Sequence, residues 1–262
     1  MTTPAQTLEA DIRGTEKAIR LLIGEQRAVT SKFSRAEALL KLERSRLAAV
    51  LRPHGPRSLA KASRFPDFSD FQVRVDLKAV RNGGSVRVGE LAVTKLTEGL
   101  GFKARTGPDR LKTMAALKFP RRGAYHFGHA TESGVAQAQF FLGYAHDTGI
   151  SWGRDDIVVY DCEVTDGQSG RQVAIVAHDF AVEIRKHVPG EIWLYGGGPF
   201  LSGNGVTLDG YDAHWLAAYV SNPGPFKVFG ARTKYWQYSD GNFGPQPHSC
   251  PGIGPSDMSV VL

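Results

Sequence analysis

Apolar residues recur at alternating steps of four and three near the start of the chain: Leu8, Ile12, Ile19, Leu22, Val29, Phe33, Ala36, Leu40, Leu47 and Val50. In the same register only Thr15, Gln26 and Glu43 interrupt the stripe. This spacing puts the apolar residues on one face of a helix, and a heptad pattern held this long predicts a coiled coil. Thr3-Pro4-Ala5-Gln6 supplies a cap, a proline for the first turn and a Gln three residues after the cap. Ser34-Arg35-Ala36-Glu37 offers a second capping box, which would divide the segment into a helical hairpin. The register stays in phase across it, which favours one helix over residues 3–51. A single helix cannot bury such a stripe, so the segment must self-associate, fold back or dock on a partner.

Arg52-Pro53-His54-Gly55-Pro56-Arg57 ends that pattern, and residues 53–62 read as a Pro/Gly linker. From residue 63 the period changes. Strands are predicted over Arg64–Ser69, Val86–Lys95, Gly123–Phe127, Asp156–Val164, Glu191–Tyr195, Ala213–Tyr219 and Lys234–Tyr238. Amphipathic helices are predicted over Ser133–Asp147 and Arg171–His187. Alternating strands and helices imply βα units around a parallel sheet. The fold class is therefore α/β. Residues 63–262 form an irregular, TIM-like (β/α) barrel, preceded by a basic helical segment over residues 1–52.

Charge separates the same two regions. Residues 1–61 hold 12 Lys/Arg against 6 Asp/Glu, while the remainder holds 20 of each, so the net +6 belongs to the N-terminal segment. Its basic face reads as a solvated helix surface, and no nucleic-acid partner is expected. No apolar run approaches the ~18 residues of a membrane-spanning helix, and the first residues lack the pattern of a secretory signal. The two cysteines, Cys162 and Cys250, make no disulfide framework, and no His/Cys cluster has metal-ligand spacing. Neither a metal nor an organic cofactor is expected.

The chemistry concentrates on Ile157-Val158-Val159-Tyr160-Asp161-Cys162-Glu163-Val164. A β-branched apolar run bounded by polar residues reads as a buried parallel strand. Side chains alternate along it, so Asp161 and Glu163 share one side, roughly 6.5–7 Å apart along the backbone, while Cys162 faces away into packing. Two carboxylates this close raise each other's proton affinity, which is the requirement for an acid catalyst. In a (β/α) barrel, catalytic groups lie at the carboxyl ends of strands. Asp67, Glu98, His126, Asp161 and Glu163 all fall there. His126 reads better as a hydrogen-bonded barrel residue than as a catalyst.

In this order the motifs resemble the glycoside hydrolase family 25 lysozymes, the Chalaropsis-type N-acetylmuramidases found among bacteriophage endolysins. The motifs are Asp67-Phe68-Ser69 with Gln72, Lys95-Leu96-Thr97-Glu98-Gly99, Gly123-Ala124-Tyr125-His126-Phe127, and Gln137-Ala138-Gln139-Phe140-Phe141. Asp161-Cys162-Glu163, Tyr195, Trp215-Leu216-Ala217-Ala218-Tyr219, Trp236-Gln237-Tyr238 and Gly252–Asp257 follow. Together they cover residues 64–262. Cys162 and the proline-rich stretch Gly241–Pro251 depart from the family pattern, and the N-terminal helix lies outside it.

The resemblance implies a peptidoglycan hydrolase that cleaves the β-1,4 bond between N-acetylmuramic acid and N-acetylglucosamine with retention. Glu163 would be the general acid, Asp161 its ionised neighbour, and Asp67 and Asp257 would complete the catalytic set. Glu98, Tyr125, Tyr195, Trp215, Trp236 and Gln237 are the candidate substrate-binding residues. The expected partner is bacterial peptidoglycan, with self-association or a virion partner through residues 5–51. The expected location is the host cytoplasm and then, after release, the cell wall, or the virion. The competing expectation is a virion tail protein whose lysozyme-like domain is accessory or inactive.

Overall fold

The computed structural model describes residues 63–83 and 89–262. All belong to one compact unit, Gly55–Leu262. The predicted N-terminal helix, the linker and the predicted strand start at Val86 lie outside the described residues. In chain order the elements are β1 (Arg64–Phe68), α1 (Leu77–Asn82), β2 (Leu91–Glu98), β3 (Phe102–Lys103), α2 (Gly107–Ala116), β4 (Arg121–Phe127), α3 (Gly134–Asp147) and β5 (Asp156–Asp161). Then come α4 (Gly170–Arg185), β6 (Glu191–Gly196), α5 (Gly198–Gly203), β7 (Ala213–Ala217), β8 (Thr233–Asp240), β9 (Ser249–Cys250), β10 (Gly254–Pro255) and β11 (Asp257–Val261).

Eight strands pair in the order β1-β2-β4-β5-β6-β7-β8-β11, and β11 returns to β1 to close a barrel. Neighbours from β1 to β8 are parallel, whereas β11 is antiparallel to both β8 and β1. β3 folds back on the end of β2, and β9 and β10 pair within the β8–β11 connection. The predicted alternation of strand and helix therefore holds through β6. After that the short helix α5 joins β6 to β7, two 3₁₀ turns join β7 to β8, and a loop with a small hairpin joins β8 to β11. An antiparallel neighbour needs no crossover helix, which is why the β8–β11 connection lacks one.

Caps set the two long helices. Ser133 accepts a hydrogen bond from the Ala136 amide (3.4 Å) at the start of α3, and Ser169 accepts from Gln172 (3.3 Å) at the start of α4. Gly134 lets these helices meet, since a Cβ there would lie 2.1 Å from the Val176 carbonyl oxygen.

Strand alternation divides the core in two. Phe65, Leu91, Val93, Ile157, Val159, Trp193, Trp215 and Tyr235 pack together inside the barrel. Phe68, Leu96, Val158, Tyr160, Cys162, Leu194, Leu216, Trp236 and Tyr238 pack outward with the helices and loops. On β5 the inward residues are Ile157 and Val159, so the next inward position is Asp161. The strand ends there, not at Val164 as predicted, which leaves Glu163 on the loop just beyond. Rings fill the lower barrel: Trp193 stacks on Tyr235 at 3.8 Å, and Phe65 lies 5.3 Å from Trp215. The barrel is a plugged core with its open end at the carboxyl ends of the parallel strands.

Candidate active site

Above that plug lies an open cleft of about 290 Å³. Asp67 enters from the end of β1, Lys95 from β2, Tyr125 from β4, Asp161 from β5, Tyr195 from β6, Trp215 from β7, Gln237 from β8 and Asp257 from the start of β11. Glu163 reaches in from the loop after β5, and Ser69, Phe71, Gln72, Phe127 and Tyr219 complete the walls. Asp67 and Asp257 are register partners across β1 and β11, and Asp257 faces Asp240 of β8 on its other side. Asp67 and Asp257, from the two ends of the described barrel, are thus placed side by side by the strand that closes it.

Gln237 is the hub of the polar floor. Its amide nitrogen donates to Asp67 Oδ2 (2.9 Å), and its Oε1 accepts from the Tyr195 hydroxyl (2.6 Å) and the Tyr219 hydroxyl (2.9 Å). Trp215 is nearly closed off from solvent, and its indole N–H donates to Ser259 Oγ (2.9 Å). It forms the base of the cleft and offers no open stacking face.

The carboxylates all hold protons more tightly than usual. Burial pushes Asp161 well above the ordinary carboxylate range; Glu163 repels it further, while Lys95 opposes the shift. Burial also raises Asp67 strongly, with repulsion from Asp257 added and the Gln237 hydrogen bond acting against it. Asp257 is raised to about 6, by burial first and by Asp240 second. Glu163 opens to solvent more than Asp161 does, yet the cleft walls desolvate it enough to raise it too. Asp161 Oδ1 is buried and has no hydrogen-bond partner among the described residues. In the free cleft burial thus raises the proton affinity of Asp161 as well as that of Glu163.

Two predicted binding residues are placed elsewhere. Trp236 faces out of the barrel, where its indole N–H donates to the Ala218 carbonyl (2.6 Å) and its ring lies 5.8 Å from Tyr238. Its neighbours Tyr235 and Gln237 face in, so alternation requires Trp236 to face out. Glu98 stands behind the cleft wall. Its carboxylate pairs with the Lys95 ammonium and accepts from His129 Nε2 (3.3 Å), and His129 Nδ1 lies 3.2 Å from Asp166. The β2–β4 register slips between Lys95 and Thr97, so that Thr97 pairs with the outward His126 and Glu98 with Phe127.

His126 packs outside the barrel between Thr97 Oγ1 (2.8 Å) and Gln137 Oε1 (2.9 Å). Gln137 uses its amide N–H groups on the His129 and Glu132 carbonyls, so its Oε1 accepts and His126 carries its proton on Nε2. Burial lowers His126 to about 4, and it stays neutral. Lys95 and Tyr219 line the cleft without being among the expected binding residues, although both stand in the motifs above. The signal for Lys95 was its parity with Leu91 and Val93. Tyr219 lies beyond the end of β7 and shares its parity with the inward Trp215 and Ala217. Among the described residues no group of three or more His, Cys, Asp or Glu is placed to hold a metal ion, and no helix is long and apolar enough to cross a membrane.

The barrel gathers four carboxylates of raised proton affinity around one open cleft, a set suited to acid catalysis. The chain belongs to glycosyl hydrolases family 25, whose model matches residues 66–245. It is 34% identical over 105 residues to an N,O-diacetylmuramidase of Arthroderma benhamiae, a stretch that spans 40% of this chain and 41% of that relative. The fold is shared with a bacterial lysozyme from Streptomyces coelicolor (TM-score 0.61, 22% identity, 77% of this chain and 92% of that one). It is also shared with the catalytic domain of endolysin ply40 from bacteriophage P40 of Listeria monocytogenes (TM-score 0.59, 18% identity, 77% and 93%).

Proposed function

We propose that this chain hydrolyses peptidoglycan by cutting the β-1,4 bond between N-acetylmuramic acid and N-acetylglucosamine, with Glu163 as the general acid. The observation that carries this reading is the Asp161/Glu163 pair in the cleft, one member buried and the other accessible, both with raised proton affinity. Breaking a glycosidic bond needs a proton on the leaving oxygen and stabilisation of an oxocarbenium-like centre. Glu163 is the member a substrate can reach. A bound sugar displaces water from it and raises its affinity further.

Asp161 Oδ1 is an acceptor awaiting a donor. The N–H of an acetamido group supplies one, which favours the ionised form of Asp161 and passes the shared proton to Glu163. This supports a substrate-assisted route in which the acetamido oxygen attacks the anomeric carbon, Asp161 holds the N–H, and configuration is retained. Asp67, fixed by Gln237, and Asp257 position sugar hydroxyls or the incoming water.

An endolysin role, with release from a host cytoplasm to the wall, is part of the proposal and is supported by the shared fold with a phage endolysin domain.

The test is product analysis on purified cell walls. The expected product carries a reducing muramic acid; a free amine or a new peptide terminus would overturn the reading. Glu163→Gln is expected to lower kcat by about 10³-fold while the melting temperature is held.

A further inference from the structure

Phe71 lines the cleft and yet is 90% exposed. An exposed aromatic ring at the end of a floppy loop would mean little, but the backbone that carries Phe71 is pinned from both sides. Within the turn, the Ser69 amide donates to Gln72 Oε1 (2.7 Å), the Gln72 amide to the Ser69 carbonyl (3.2 Å) and the Phe71 amide to Ser69 Oγ (3.3 Å). From below, the buried Arg110 donates to the Ser69 carbonyl (2.7 Å) and the Gln72 carbonyl (2.6 Å), with its guanidinium 5.2 Å from the Phe68 ring. From the side, Asp70 accepts from the Arg105 amide (2.8 Å), the Thr106 amide (3.1 Å) and the Thr106 hydroxyl (2.5 Å) at the start of α2. Thr106 provides no side-chain cap of its own there. Ser69, Asp70 and Gln72 are therefore all committed to holding the turn, and Phe71 alone is turned out.

We propose that Phe71 is an aromatic platform for a sugar ring of the glycan strand, extending the binding site beyond the carboxylates. This rests on the glycan-cleaving reading above. Phe has no polar handle, so its partner must offer an apolar face, and the C–H face of a pyranose is the apolar surface such a strand presents. Continuity with the cleft assigns the occupant, since whatever lies across Asp67 and Gln237 passes the Phe71 ring. The fixed backbone removes the ordering cost that a mobile ring would add on binding.

The experiment uses the full chain silenced by Glu163→Gln, with and without Phe71→Ala, in sedimentation with intact sacculi and with glycan strands stripped of their peptides. Phe71→Ala is expected to weaken binding to both about tenfold, and Phe71→Trp to retain it. In the active chain, Phe71→Ala raises KM by a similar factor and leaves kcat nearly unchanged, the mark of binding lost equally in ground and transition states. Melting temperature should not move, and Ile175→Ala, an exposed apolar residue on α4, is the control for surface hydrophobicity. Undiminished binding of Phe71→Ala to peptide-free strands overturns the platform, as does a loss confined to peptide-bearing material, which would assign the ring to the stem peptide. Because sedimentation needs no catalysis, the two readings fail separately. Binding that depends on Phe71 without cleavage sinks only the hydrolase proposal, and cleavage indifferent to Phe71 sinks only the platform.

Discussion

The floor and the mouth of the barrel are built from the same inward faces of the same strands, two residues apart. Phe65 is followed by Asp67, Val159 by Asp161, Trp193 by Tyr195 and Tyr235 by Gln237. On the floor every polar handle is paired. Trp193 donates to Glu191 Oε2 (2.6 Å), and Arg121 donates to the Tyr235 hydroxyl (3.2 Å) while lying 5.3 Å from the Trp193 ring. At the mouth, acids repel one another, and a buried carboxylate oxygen is left without a donor. One layer is arranged for stability, and the next gives up stability to hold protons where a substrate can use them. One step of strand period separates the two.

Trp193→Ala tests the floor. Removing this indole from the plug leaves a cavity bounded by Phe65, Trp215 and Tyr235, and a loss of about 3–5 kcal/mol is expected in denaturant unfolding. The rate per folded molecule should fall far less than it does in Glu163→Gln. A variant that keeps its stability and loses its rate would reverse the assignment of the two layers.

How much of this division could be read from the chain is decided strand by strand. On β5 the alternation Ile157, Val159, Asp161 was legible, because a buried strand with two polar residues at its end has one sensible orientation. The same rule applied to β8 would have turned Trp236 outward. Its aromatic type suits a sugar, but its parity with the outward Tyr238 places it in the outer layer. Glu98 was a different matter. The register slip after Lys95 leaves no local mark in the sequence, so parity alone could not place the residues beyond it. Asp257 was drawn in by a motif and not by any strand pattern. Its place beside Asp67 depends on β11 running antiparallel between β8 and β1, a long-range pairing that no local period encodes. The turn that presents Phe71 is equally non-local, since Arg110 and Thr106 brace it from α2.

The mouth can be tested through pH. Asp257 holds its proton up to about 6, above the ordinary aspartate value of an unfolded chain. The folded state thus binds the proton more tightly. The stability this contributes is full at low pH and is lost as pH rises from about 4 to about 6. Asp257→Asn removes the ionisation. The melting temperature of the variant should match the parent near pH 3.5, rise above it across that window and stay higher at neutral pH, with activity reduced. A difference that shrinks as pH rises would mean that Asp257 is stabilised in its ionised form, and the strained-mouth picture would fail.

The smallest expected effect bears on the alternation itself. Trp236→Phe keeps an aromatic ring in the outer layer and removes the indole N–H that donates to the Ala218 carbonyl. The cost should be about 1 kcal/mol of stability, the net worth of one hydrogen bond, with KM for glycan unchanged. Its neighbour Gln237 faces the other way and touches Asp67, Tyr195 and Tyr219. Two adjacent residues in one motif therefore belong to different layers, and stability and substrate affinity should respond to them separately. If Trp236→Phe raised KM, the indole would have to reach the cleft, and the face assigned to β8 from Tyr235 onward would be wrong.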